Sequence, residues 1–510
     1  MGVIMKKFTF ILSLVGTFLI FLTFNLRAQT GMGTSNILEG YPPESVWNYF
    51  NEITKIPRCS GEEDQIREWL VETAKNAGLN VVVDDYGNVK IEKEASPGYE
   101  SHEGVVLQAH LDMVCSPQNM TFPLELKITD GWLSANNTTL GADNGIGIAY
   151  AMAVLTDDKV VHPQLEVLFT VEEETGLTGA NNLKEDFIKN RKLINLDSED
   201  EETITIGCAG GGRSNITMPL VREAAGANML PFVVSVNGLQ GGHSGIDIDS
   251  RANPNKLIAE FLNEAENIAP ELRIISIKSG EFDNAIPRNS EVWVVIDNNN
   301  RSKLFSLKDS MLTKWKSQFS DLEPNINIDI YETTYSIDPI TKEITNNIIN
   351  MINELPYGVI AWSKELEGVL ETSVNISPVK TFTSSFVLTM MSRSIKLEER
   401  EKLRSQITEI ANKYGAKCVN DNGYPPWEPN FDSQLLAFAR NIYINHFGKE
   451  PAVEVTHGGL ETAIIGSTYP GMDMISIGPT SENGHSPKER MNIQSVANVY
   501  SYLLELLQAL

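Results

Sequence analysis

Cysteine is scarce in this chain. Its 510 residues hold four, Cys59, Cys115, Cys208 and Cys418, with no C-x-x-C pair, which argues against a cysteine zinc site. Scattered cysteines in so large a chain are more often small buried hydrophobes than disulfide partners, and spacing leaves their pairing open. Basic residues are also short, 41 Lys and Arg against 67 Asp and Glu, for a net charge of −26. Nucleic-acid backbones need a basic face, so DNA and RNA are not expected partners. Anionic lipid is disfavoured for the same reason. Fixed-period repeats and low-complexity tracts are missing. What is present is an average globular mixture, 42% apolar and 21% charged, which argues against wholesale disorder. The length is too great for one hydrophobic core and predicts two or more domains.

The first thirty residues stand apart. "MKKFTFILSLVGTFLIFLTFNLRAQT" has a short basic start, an apolar run from Phe8 to Phe24 and a small residue at Ala28. This reads as a bacterial-type signal peptide over residues 1–28, cleaved after Ala28, and predicts an exported protein in the periplasm or outside. An uncleaved membrane anchor is the alternative. No cysteine follows the run, so a lipid-modified terminus is not expected.

Residues 42–78 carry helical periodicity, and strand-like runs follow at 80–92, 104–114 and 165–172. "GADNGIGIAYAMAVLTD" reads as a buried helix, and "KLINLD" as another strand. Interleaved strands and helices predict an α/β first half, residues 38–212. After "GCAGGG" the texture changes. Residues 213–420 read as an α+β insert, with long helices at 254–268 and 396–414. The Gly-, Pro- and Asn-rich "NDNGYPPWEPN" marks a boundary. Residues 421–510 return to α/β character.

Several polar residues fall at or just past predicted strand ends. His110 and Asp112 close "VVLQAHLDMV", Glu173 and Glu174 follow "LEVLFTV", Asp197 ends "KLINL", and His485 lies in the loop after the strand at 472–478. Asp143 sits in a turn that opens a helix. Two apart on a strand, His110 and Asp112 share a face. In open α/β sheets ligands bind at the carboxyl ends of strands. Nitrogen and oxygen donors without thiolate suit catalytic Zn²⁺, or Mn²⁺ or Co²⁺. Of the neighbours Glu173 and Glu174, one can bind metal while the other takes a proton from an activated water. Each short motif has a plainer reading, as a charged turn, a core pair or an acidic loop. Their joint placement at strand ends is much harder to obtain by accident.

Taken in order, "QAHLDMV", "LGADNGIGIA", "FTVEEETG", "LINLDSED", "GCAGG", "GGHSG", "NAIPR", "HGGLE" and "NGHSP" resemble the motifs of the M20-type metallopeptidases, and look closest to the aminoacyl-histidine (Xaa-His) dipeptidase branch. The match runs from about residue 40 to the end. The resemblance implies a mixed-sheet catalytic domain with an inserted lid, and two zinc ions. His110 and Asp197 would hold one, Glu174 and His485 the other, and Asp143 would bridge them. Asp112 would orient His110, and Glu173 would be the general base. A cis peptide is implied at Asp143–Asn144. On the lid, His243 resembles a histidine that steadies the oxyanion, Asn284 a residue near substrate, and Arg393 an arginine that grips the substrate carboxylate. Gly458 and Glu461 of "HGGLE" would line the substrate wall. Plainer roles are a turn histidine for His243, a structural salt bridge for Arg393, and a structural part for His457. Aspartate at 197 resembles dipeptidase and aminopeptidase members more than carboxypeptidases or aminoacylases.

The expected activity is hydrolysis of Xaa-His and other unblocked dipeptides, with short peptides as partners and a homodimer as a further possibility from the family. The alternatives are an amidohydrolase for N-acyl amino acids and a non-catalytic metal or peptide binder.

Overall fold

The computed structural model describes residues 36–510. Two large sheets organise it. In the first, the strand order is Asn80–Val83, Val89–Lys93, Leu165–Thr170, Val105–His110, Lys192–Asn195, Asp473–Ser476, Thr203–Cys208 and Ala452–Thr456. Its four central strands, from Leu165–Thr170 to Asp473–Ser476, pair in parallel, so their carboxyl ends share one edge. The alternation along residues 105–109 predicts a strand, and the strand is there. It is buried on both faces, because helices cover both sides of a parallel sheet. Leu165–Thr170 is buried throughout as well.

The apolar run after Asp143 forms the helix Ala142–Thr156, which runs through the core beneath the sheet. Asp143 and Asn144 depart from helical geometry (φ −77°, ψ 109° and φ −108°, ψ 32°), and the peptide between them is cis. The segment 80–92, read as one strand-like run, is a hairpin of two strands. The helix Ile493–Ala509 packs into the same core.

The strands of the second sheet lie between Gly210 and Asn420 and are all antiparallel. Helices Pro254–Ile268, Arg301–Gln318, Lys342–Glu354 and Leu397–Lys413 build a separate apolar core against it. Asn253 caps the first of these by accepting from Asn255 N–H, with Pro254 at the first helical position. The fold is thus α/β with an inserted α+β lid, as expected from the sequence. A small four-stranded sheet joins residues 126–135 to residues 481–492. It brings the loop of His485 back onto the first half of the chain.

Cys59 and Cys115 are joined as a disulfide, while Cys208 and Cys418 are free. Sequence spacing could not show this pair. The loops after the helix Glu44–Ile53 and after the strand Val105–His110 run side by side, with Cys59 bridged to Met113. The N-terminal leader reading falls on residues 1–28, outside the described residues. Among the described residues, no helix is long and apolar enough to cross a membrane.

Candidate metal centre

The parallel strands carry their polar residues to one edge. His110 is the last residue of its strand, Glu173 and Glu174 follow Thr170, Asp197 follows Asn195, and His485 lies in the loop beyond Ser476. Asp143 comes to the same place from the non-helical entry of its helix. The carboxyl ends of parallel strands are where ligands gather in open α/β sheets.

The side chains converge. His110 Nε2 lies 2.8 Å from Asp143 Oδ1 and 3.4 Å from Asp197 Oδ1. His485 Nε2 lies 2.9 Å from Asp143 Oδ2 and 2.9 Å from Glu174 Oε1. Asp143 therefore turns one oxygen to each histidine. Donor atoms of His110, Glu173 and Glu174 also fall within 4.8 Å of one another. Asp112 Oδ1 is 3.3 Å from His110 Nδ1, near enough for a charge contact but not aligned as a hydrogen bond. The Asp112 carboxylate also accepts from the backbone N–H groups of Glu173 (2.9 Å) and Glu174 (3.2 Å).

So many carboxylates in one dehydrated place demand positive charge. Burial, then the charge of Asp143, pushes Glu174 up to about 7. Burial raises Glu173 well above the carboxylate range, with Glu174, Asp197 and Glu461 adding to it against His110. His485 is pushed up to about 11, first by its hydrogen bond to Asp143 and then by that to Glu174. Such a concentration of buried negative charge needs cations to offset it. His110 Nδ1, a buried atom without a hydrogen-bond partner, belongs to the same group. The donor set of nitrogen and oxygen fits a pair of divalent ions.

The lid reaches this edge. His243 and Gly242 pair with Ala285 and Ile286. His243 Nδ1 accepts from the N–H groups of Gly245 (3.3 Å) and Ile246 (3.1 Å), which leaves the ring proton on Nε2. Burial, then the charge of Arg393, holds this ring down to about 4, so it stays neutral. Arg393 is 4% exposed. It donates to Tyr424 Oη at 2.8 Å and Ser244 Oγ at 3.4 Å, hydroxyls rather than a carboxylate, and its Nε has no partner. A Cβ on Gly245 would lie 2.6 Å from the His457 carbonyl oxygen and 3.3 Å from Arg393 Cδ, so lid and "HGGLE" loop touch. Asn284 is exposed on the lid, and its carbonyl accepts from Ser244 N–H. Gly458 is half-buried beside Thr456.

Glu461 differs from expectation. It is fully buried at the start of a helix, and its Oε2 accepts from Gln108 (2.7 Å) and Thr170 (2.5 Å). Its carboxylate is held by these two side chains, with no surface open to a substrate wall. His457 is buried too, with Nε2 2.8 Å from Ser373 Oγ.

A model of the peptidase family M20/M25/M40 matches residues 106–509. The cytosol non-specific dipeptidase of Escherichia coli (strain K12) is 37% identical over 474 residues, 91% of this chain and 97% of that protein. The chain belongs to the M20/M25/M40 peptidase family. Among solved structures, the aminoacylhistidine dipeptidase of Vibrio alginolyticus superposes with a TM-score of 0.82 at 35% identity, covering 93% of this chain and 98% of that one. A tripeptidase from Staphylococcus aureus subsp. aureus Mu50 shares the fold, with a TM-score of 0.59 at 17% identity over 92% and 98%. The expected metallopeptidase class stands with this membership. The expectation of export does not. The Escherichia coli relative, matched over nearly the whole chain, is by its name a protein of the cytosol. The leader reading came from a basic start, an apolar run and a small residue at Ala28, a local compositional signal outside the described residues.

Several residues of this M20 peptidase escaped the sequence reading. Asn144 donates to the Leu196 carbonyl at 2.9 Å and to the Asp197 carboxylate. Tyr424 holds Arg393, yet it lies in "NGYPPWEPN", which reads only as a boundary. Arg58 and Glu489 are buried around the turn before Asp143. A lone polar residue gives no periodic signal, so none of these roles could be picked out.

Proposed function

We propose that the chain is a dinuclear zinc dipeptidase acting on Xaa-His and other dipeptides with free termini. The observation that carries this reading is Asp143, with one oxygen toward His110 beside Asp197 and the other toward His485 beside Glu174. His110 and Asp197 would hold one ion, Glu174 and His485 the other, and Asp143 both. Zinc suits these donors, and Co²⁺ or Mn²⁺ would also fit. When bound, the ions polarise the scissile carbonyl and bring the pKa of a water to about 7.

The remaining work falls to side chains. Glu173 takes the water's proton and passes it to the leaving amine. Asp112 faces His110 and ties down the backbone of both glutamates, which fixes the base relative to its neighbour. His243, neutral with its proton on Nε2, is a donor for the oxyanion. Arg393 is held ready by Tyr424 for the carboxylate of a short peptide. Asn284 and Gly458 would contact the substrate from the lid and from the loop at 457–461. Residues 38–212 and 421–510 would form the catalytic domain and 213–420 the lid. The Escherichia coli and Vibrio alginolyticus relatives, dipeptidases by name, support dipeptides as substrates.

The test is elemental analysis with turnover on the purified chain. Two divalent ions per chain and hydrolysis of Ala-His and β-Ala-His are expected. Turnover of N-acetyl amino acids with none of dipeptides would replace the peptidase reading with an amidohydrolase. Dipeptide binding without hydrolysis in zinc-supplemented buffer would leave a binder.

A further inference from the structure

The turn that delivers Asp143 is gripped by two buried charges from distant parts of the chain. Glu489 Oε2 accepts from the N–H groups of Leu140 (2.7 Å) and Gly141 (2.9 Å), and its Oε1 from that of Ala142 (2.8 Å). Arg58 donates through Nη2 to the carbonyl of Gly141. Through Nη1 it also reaches the carbonyls of Leu111 (3.0 Å) and Asp112 (2.7 Å). Each of the two side chains is 2% exposed.

The contacts have a pattern. Arg58 ties the segment after His110 to the turn before Asp143. Glu489 follows His485 by four residues and ties that loop to the same turn. The three segments that carry His110, Asp143 and His485 are thus joined through the Gly141 peptide, held at its carbonyl by Arg58 and at its N–H by Glu489. The space belongs to the guanidinium. A Cβ on Gly141 would lie 2.6 Å from Arg58 Nη2, and one on Gly145 2.7 Å from it. The Cys59–Cys115 disulfide joins the residue after Arg58 to the segment beyond Asp112. Burying an arginine and a glutamate is costly unless both are fully hydrogen-bonded, and a plain turn would not require either.

We propose that Arg58 and Glu489 are positioning residues that set the Asp143 carboxylate between His110 and His485, so that both metal positions fill. The inference rests on the two-metal reading above. Neither residue touches substrate. Both act through Asp143.

The test compares apoprotein of the wild type, Arg58→Lys and Glu489→Gln. Zn²⁺ affinity is measured by competition with a chelator, and geometry by the visible spectrum with Co²⁺ bound. R58K keeps the charge but loses the fork. E489Q keeps the shape but presents an amide to backbone N–H groups. Each is expected to weaken Zn²⁺ binding at one or both positions by roughly ten- to a hundred-fold and to alter the Co²⁺ spectrum. With metal in excess, kcat for Ala-His should fall more than KM rises. Folded variants with wild-type Zn²⁺ affinity and an unchanged Co²⁺ spectrum would overturn the proposal. If E489Q fails to fold, Glu489→Asp and R58K decide by the same two readouts. His485→Ala is the control for the parent reading. If it binds two ions as tightly as the wild type, the metal assignment itself falls, a result distinct from failure of the clamp.

Discussion

At Glu173 the carboxyl stands beside Glu174, and Asp112 holds the backbone N–H of both. Glu173→Gln keeps the volume and removes the proton acceptor. Turnover of Ala-His should fall roughly 10²–10⁴-fold, while elemental analysis still finds two ions per chain. Unchanged turnover would remove Glu173 from the chemistry. His457 makes a different prediction. Burial, then the charge of Arg393, holds it down to about 3 from an ordinary 6.5. The unfolded chain therefore binds an extra proton between those values, and stability is lost as pH falls through that window. Between pH 7 and pH 5 the wild type should lose on the order of 2 kcal/mol more than His457→Gln, read by urea unfolding. An equal loss in both would show that His457 titrates normally. The residues now gathered at one edge, from His110 to His485, were legible because most stand at or just past strand ends, and Asp143 at the turn that opens a helix, in a recognisable order. The burial of Glu461 was not legible, because its motif gives its neighbourhood but not its direction. Its carboxylate accepts from Gln108 and Thr170.

Among elements, the helix Ala142–Thr156 matters most for the site. Its packing has no slack near the start, where a Cβ on Gly147 would lie 2.0 Å from Asn144 Oδ1 and 2.9 Å from the Leu196 carbonyl oxygen. Asn144 in turn bonds the Leu196 carbonyl and the Asp197 carboxylate. Gly147→Ala should destabilise the fold by about 1–3 kcal/mol through overpacking and loosen the metal held by Asp197. The thermal midpoint and a chelator titration check the two effects, and a variant unchanged in both would contradict the tight packing. Helix periodicity made this element and those at Pro254–Ile268 and Leu397–Lys413 readable in advance. The non-helical entry at Asp143 and Asn144 leaves no trace in periodicity. The split of residues 80–92 into a hairpin was also missed, since both strands share one apolar texture across the turn.

For the whole molecule, the lid brings Arg393 and His243 to an edge built by the other sheet. Arg393→Lys keeps a charge without the planar fork. KM for Ala-His should rise about ten-fold or more, and that penalty should vanish for the C-terminally amidated dipeptide. An equal penalty on both substrates would make Arg393 a structural part of the lid. The two-part architecture was visible in the change of texture after "GCAGGG". Cellular address was not, because a short apolar leader is independent of how the rest packs, and the match to a cytosolic relative overturned that expectation. The disulfide was hidden for a related reason, as its partners are 56 residues apart and meet only through the fold. The most direct measurement of the central claim is anomalous diffraction from crystals of the zinc-loaded protein. Two peaks should flank the Asp143 carboxylate, one against His110 and Asp197, the other against Glu174 and His485. A single peak, or peaks away from Asp143, would contradict it.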